Sequence, residues 1–174
     1  MPSQFPDIYA GQDITSGLLT SMLPQFAWVV SNTTRASTTI ISADPYLTFP
    51  VVSGSVYVVE FTLMYAGIAG VGLQTEWLVP TGTGGSRTCV GPASNASNAA
   101  GDQELARLGA YLYSTPVIYA AARGGTGSPN TVLETSQFTA ASNGNVSLGW
   151  SQAVSNTTGI TMFAGSWGRC TQVG

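Results

Sequence analysis

Apolar and polar positions alternate through most of this chain, and the pattern is clearest between residues 55 and 66. There Tyr57, Val59, Phe61, Leu63 and Tyr65 fall on one side of a period-2 pattern, and Val56, Val58, Glu60, Thr62 and Met64 on the other. A β-branched and aromatic run with this period predicts a strand, and its length predicts a central one. Each large side chain buried along it contributes roughly 1.5–3 kcal/mol. Only Glu60 and Thr62 are polar on the second side. The pattern therefore predicts cover on both sides, by a second sheet or by a neighbouring subunit.

Ahead of this strand, residues 1–11 are a Pro-containing lead-in. Asp13 or Thr15 can cap a short helix, Leu18, Leu19, Met22 and Leu23 supply its apolar side, and Pro24 ends it. An apolar stripe does not name its partner, so this helix is either a lid on the body of the protein or a docking element. From Phe26 onward the pattern predicts strands at 26–31, 38–42, 47–51, 73–79, 132–138, 146–151 and 160–167, with another centred on Val117-Ile118-Tyr119. Pro50 predicts an edge position for 47–51. Turns are expected at 32–34, Asp44-Pro45, Ser53-Gly54 and 155–159, and Ser142-Asn143-Gly144-Asn145 reads as a hairpin turn. The stretch 81–102 has no period and is expected to form a long loop, followed by one helical turn at 103–108. Short strands with turns every eight to twelve residues predict an all-β chain, an antiparallel β-sandwich or jelly roll. The expected organisation is an N-terminal arm and short helix over 1–24, and a sandwich domain over 25–174.

Composition sharpens this picture. Only 7% of the 174 residues are charged, against about 25% in an average soluble domain. Charge is depleted at interface cores, so the shortage points to surface buried by association. The net charge is −3, and Arg35, Arg87, Arg107, Arg123 and Arg169 are scattered along the chain. A nucleic-acid surface needs clustered cations, so nucleic acid is not an expected partner. No apolar run is long enough for a membrane span, and no basic-then-apolar leader pattern is visible.

Chemistry is sparse. The chain has no histidine, which removes most hydrolytic triads and zinc sites. The Gly-rich stretches 67–72 and 82–85 match no phosphate loop. No catalytic, metal-binding or cofactor-binding residue is assigned, and no cofactor is expected. Glu60 and Glu76, on neighbouring predicted strands, are the one pair with a geometry to consider for hydrolysis, but no motif surrounds them. Among the aromatics, Trp150 and Tyr57 read as core, whereas Tyr111 and Tyr113 beside the long loop are candidates for exposed rings that stack on a glycan. Cys89 and Cys170 form either one disulfide or two free buried thiols.

Several of these pieces, in this order, resemble small virion proteins of tailed bacteriophages, particularly those of actinobacteria. They are Tyr9-Ala10-Gly11-Gln12 with Ile14-Thr15, Asp44-Pro45-Tyr46-Leu47 with Pro50-Val51, and Tyr57 to Phe61 in the central strand. Trp77 to Pro80, Leu148 to Gln152, Ser155-Asn156 and Ala164-Gly165-Ser166-Trp167 complete the set, which spans most of the chain. The resemblance implies a non-enzymatic β-sandwich displayed on the particle as a capsid decoration, minor tail or fibre-like component, often a homotrimer. It implies an anchor built from Tyr9, Ile14, Leu18, Leu19, Met22 and Leu23. The Val56, Val58 and Met64 side of the central strand is then expected at a subunit interface. Expected partners are copies of the chain itself, other capsid or tail proteins, and a host-surface glycan. The expected location is the virion, after synthesis in the host cytoplasm. A carbohydrate-binding module is the competing expectation.

Overall fold

The computed structural model describes residues 9–16, 23–93, 106–121 and 129–174. Twelve strands follow one another: β1 (Gln25–Trp28), β2 (Thr33–Arg35), β3 (Ser42–Val51), β4 (Val56–Ala66), β5 (Leu73–Leu78), β6 (Ser86–Pro92), β7 (Ala106–Leu112), β8 (Val117–Tyr119), β9 (Asn130–Thr139), β10 (Gly144–Gln152), β11 (Ile160–Met162) and β12 (Trp167–Gln172). They make two antiparallel sheets. The larger runs β1-β12-β4-β9-β6-β7, with β11 joined to β4 and β2 joined to β11; the smaller runs β3-β10-β5-β8. The described residues are nearly all β and sandwich-like, as the spacing predicts. The helix expected around Leu18, Leu19 and Met22 falls on residues 17–22, outside the described residues.

β4 is central, paired with β12 on one side and with β9 on the other. Its odd-numbered residues face the small sheet and are at most 2% exposed. A run of aromatic contacts crosses between the sheets: Phe49 on Phe61 at 5.9 Å, Phe61 edge-on to Trp77 at 5.1 Å, and Trp77 stacked on Tyr113 at 5.8 Å. Each such pair adds about 0.5–1.5 kcal/mol beyond its area. The even-numbered residues Val56, Val58, Glu60, Thr62 and Met64 are half-buried on the opposite side. The second layer expected over them is not supplied by the described chain.

The structure corrects several local expectations. Residues 38–41 form no strand, because residues 33–35, the first two of them expected in a turn, take the pairing with β11. The following residues lie instead across the outside of the small sheet. The Thr39 carbonyl accepts from Gln74 Nε2 at 2.7 Å and from Ser151 Oγ at 3.1 Å, and Thr38 N donates to Gln152 Oε1 at 3.4 Å. A Cβ at Gly149 would meet Ile41 Cγ2 at 2.8 Å, so a glycine there lets this strap lie close. Arg35 pins its base, donating to the carbonyls of Ser42 and Ala43 at 2.8 Å each and to that of Trp150, with its guanidinium 4.1 Å over the Trp150 ring.

Asp44-Pro45 turns within a strand rather than between two. β3 runs from Ser42 to Val51 as an edge strand, and its register with β10 shifts at this point. The Asp44 carboxylate accepts from Tyr46 N, Leu47 N and Trp150 Nε1 at 2.9, 3.1 and 2.8 Å, which is Asx-turn chemistry inside a bulge. The 142–145 turn makes no hairpin, because β9 belongs to the large sheet and β10 to the small one. The expected loop at 81–102 contains β6, whose inward positions are Arg87 and Cys89; a buried arginine hides the alternation. The helical turn expected at 103–108 is replaced from Ala106 by β7, while 103–105 lie outside the described residues. The expected strand 160–167 is split into β11 and β12 by a turn through Gly165, whose φ is 90°.

Candidate interaction surface

Cross-strand partners in a sheet project to the same side. The register of the large sheet therefore lines up Trp28, Trp167, Thr62, Leu133, Val90 and Leu108 in one row across six strands, on the outer face. Five of the six are large and apolar, and they are 56%, 37%, 46%, 36% and 75% exposed in the order Trp28, Trp167, Leu133, Val90, Leu108. Val56, Val58 and Met64, expected at a subunit interface, share this face and are half-buried. Phe26 stands in the next row, beside Arg169 and Glu60. Those two form an ion pair at 2.7 Å and are the charged side chains of this face among the described residues.

The sequence reading found the β4 part of this surface and missed the rest. Leu133, Val90 and Leu108 look like core residues when hydrophobicity alone is scored. The available signal was their neighbours: Leu133 precedes Glu134, and in β9 it is the glutamate that points inward.

That inward glutamate organises a second feature that the sequence reading did not single out. Glu134 and Arg87 are both 0% exposed, with Arg87 Nε donating to Glu134 Oε2 at 2.9 Å. Three residues of the small sheet also donate to this carboxylate: Thr75 Oγ1 at 2.5 Å, Trp77 Nε1 at 2.7 Å and Tyr119 OH at 2.9 Å. Arg87 donates its remaining hydrogens to the carbonyls of Thr75, Leu112, Tyr113 and Thr115. The cluster clasps the two sheets together. Burial, reinforced by the Glu134 charge, pushes the Tyr119 hydroxyl well above the usual phenol range. Burial first and then the same charge push the neighbouring Cys89 thiol up to about 11. No group of the clasp faces solvent, so it holds structure rather than a reactant.

The other residues of interest are dispersed. Glu60 and Glu76 do not meet: they stand on β4 and β5, in different sheets, each on the side away from the core. Tyr113 is not the exposed ring expected. It is 4% exposed, stacked on Trp77, with its hydroxyl 2.7 Å from Ser136 Oγ. Tyr111 is half-buried, and its hydroxyl accepts from Arg107 Nη1 at 3.0 Å. A cleft of about 420 Å3 opens nearby, lined by Trp77, Leu78, Val79, the 83–85 turn, Tyr113 and Ser114, with its two rings only 2% and 4% exposed. Tyr9, Ile14 and Leu23 of the expected anchor are 71%, 64% and 66% exposed. Leu18, Leu19 and Met22 lie outside the described residues. Cys89 and Cys170 are free, buried thiols rather than a disulfide, and burial pushes Cys170 up to about 12. Among the described residues no three His, Cys, Asp or Glu side chains gather as a metal site, and no helix is long and apolar enough to cross a membrane.

Compared with known proteins, the chain matches no family model and no curated protein. Structural alignments reach virus-particle proteins at low similarity. One is the structure of infectious bursal disease virus Gx strain, with a TM-score of 0.19 and 10% identity over 85% of this chain and 38% of that one. Another is the infectious bursal disease virus VP2 subviral particle, with a TM-score of 0.20 and 8% identity over 86% of this chain and 41% of that one. The chain thus spans about two-fifths of the viral chains it aligns with, at similarities too low to carry an argument about function.

Proposed function

We propose that this protein is a non-enzymatic structural component of a bacteriophage virion, a self-associating β-sandwich carried on the particle as a capsid decoration or minor tail component. The observation that carries the reading is the open face of the large sheet: a row of exposed Trp, Leu and Val side chains with one internally paired charge couple. An apolar sheet face of this breadth marks an interaction site. The sequence resemblance to phage virion proteins supports the same reading. The exposed Tyr9, Ile14 and Leu23 supply apolar side chains for docking on a neighbouring virion protein.

The test is localisation on the particle. Virions of the phage encoding the chain are purified by density gradient, and the protein is quantified by mass spectrometry and located by immunogold labelling. A fixed copy number per particle with surface labelling is the expected result. Absence from purified particles overturns the reading.

A further inference from the structure

The open sheet face has a definite geometry, and that geometry limits what can cover it. Six strands at about 4.8 Å spacing, carrying three to four outward rows about 7 Å apart, make a face of roughly 600 Å2 in plan. Two such faces in contact remove roughly 1,200 Å2 from water, where specific protein interfaces begin. The face is also compatible with itself in charge. Glu60 and Arg169 sit side by side at 2.7 Å, so the face has no net charge and two copies meet without repulsion.

A ring of head-to-tail contacts would need a second, complementary apolar patch. The outer side of the small sheet, among the described residues, carries Ile40 and Ile118 at 78% and 37% exposed but no row of apolar side chains across its strands. The strap through Thr39 covers that side, and Gln74 and Ser151 are engaged beneath that strap. A surface that meets its own copy forms an isologous, twofold contact.

We infer that two copies of this chain pair face to face through the outer faces of their large sheets, the rows containing Trp167, Leu133 and Val90 meeting across a twofold axis. The pairing rests on the particle reading for its purpose and sets the assembly unit at two or a multiple of two, in place of the homotrimer expected from sequence. Sheets packed this way lie about 10 Å apart with strands near 30° to one another.

The test is the mass of the full chain in solution, by light scattering coupled to size exclusion from 1 to 100 μM. The expected result is a dimer. Leu133→Arg, which places a cation at the middle of the face, weakens the dimer at least tenfold and yields a monomer with unchanged circular dichroism. Ile40→Arg, on the exposed strap over the other sheet, leaves the dimer intact. Leu108→Glu, near the edge of the row, repeats the test should Leu133→Arg fail to fold. A wild-type trimer, a monomer at 100 μM, or a dimer unaffected by a folded face variant overturns the inference. So does a dimer abolished by deleting residues 1–24, since the arm and not the face would then make the contact. The two proposals fail separately: a dimer absent from particles defeats the virion reading alone, and a monomer or trimer found on particles defeats the pairing alone.

Discussion

Removing the Glu134 carboxylate tests what the buried clasp contributes. In Glu134→Ala, Arg87 keeps its bonds to the backbone carbonyls but loses its counter-charge, at a site where both partners are 0% exposed. Breaking a buried pair on one side costs about 3–5 kcal/mol. At about 2–4 °C per kcal/mol for a chain of this size, the thermal midpoint falls by roughly 6–20 °C. Glu134→Gln is gentler. Its amide nitrogen can take the place of Oε1, where the Thr75 and Tyr119 hydroxyls rotate to accept, while its oxygen still accepts from Trp77 and Arg87. The counter-charge to Arg87 is lost here too, so Glu134→Gln is also destabilised, but by less than Glu134→Ala because the hydrogen bonds are kept. The double variant Glu134→Leu with Arg87→Met removes both charges and recovers part of the loss. Urea unfolding followed by tryptophan fluorescence and circular dichroism reads all three. The reasoning is refuted if Glu134→Ala lies within about 1 kcal/mol of the wild type, or if the double variant is no more stable than Glu134→Ala.

Three further outcomes follow from the same packing. Both thiols stay unmodified by a maleimide at pH 8 in the native protein and react after unfolding, because burial holds Cys89 up to about 11 and Cys170 up to about 12; labelling of the folded protein counts against it. Those raised values mean that the folded state retains thiol protons which the unfolded chain releases near pH 9, so stability declines as pH rises from about 9 toward 11. Cys89→Ala flattens that decline in a pH series of urea midpoints, and an unchanged slope refutes it. Gly85→Ala is more damaging than Gly54→Ala, since both have positive φ but only at Gly85 does the added Cβ meet Tyr113, 2.8 Å from its hydroxyl. The excess is about 1–3 kcal/mol by denaturant midpoint, and equal losses would show that Tyr113 yields freely.

The sequence was most legible where alternation and hydrophobicity agreed. β4 and β5 lie where the pattern placed them, because their odd-numbered side chains are buried and, Thr75 apart, large and apolar. Legibility failed where polar side chains point inward. Arg87 and Glu134 disguise β6 and β9 positions that are as buried as any leucine, and Leu108 and Leu133 disguise exposed ones. It failed again where partner choice decides the outcome. The residues 38–41 have strand-forming side chains, but a strand needs a free ladder, and β2 had already occupied the one on β11. The Asn-Gly of 142–145 supplies a tight turn without saying which sheet receives the next strand. The open face was legible only in its β4 portion, since its breadth exists only once six strands are in register.

The placement of charge ties these features together. Globular proteins usually carry ionised groups outside and hydrophobic ones within, and here a small inventory is partly inverted. Arg87 and Glu134 lie at the junction of the sheets, and Arg35 and the buried Asp44 both bond to Trp150, whose ring is in the core. Directional bonds at these points fix how the sheets stack, because each donor has one acceptor at one distance. Hydrophobic contact is non-directional, so the apolar core alone would tolerate small slips between the sheets. With the sheets fixed from inside, the outer face of the large sheet holds a constant shape while remaining nearly free of charge. A rigid face with one apolar row and a single internally neutralised ion pair suits assembly better than chemistry. It loses little conformational entropy when covered, and it pairs tightly only with a surface whose own rows match its register.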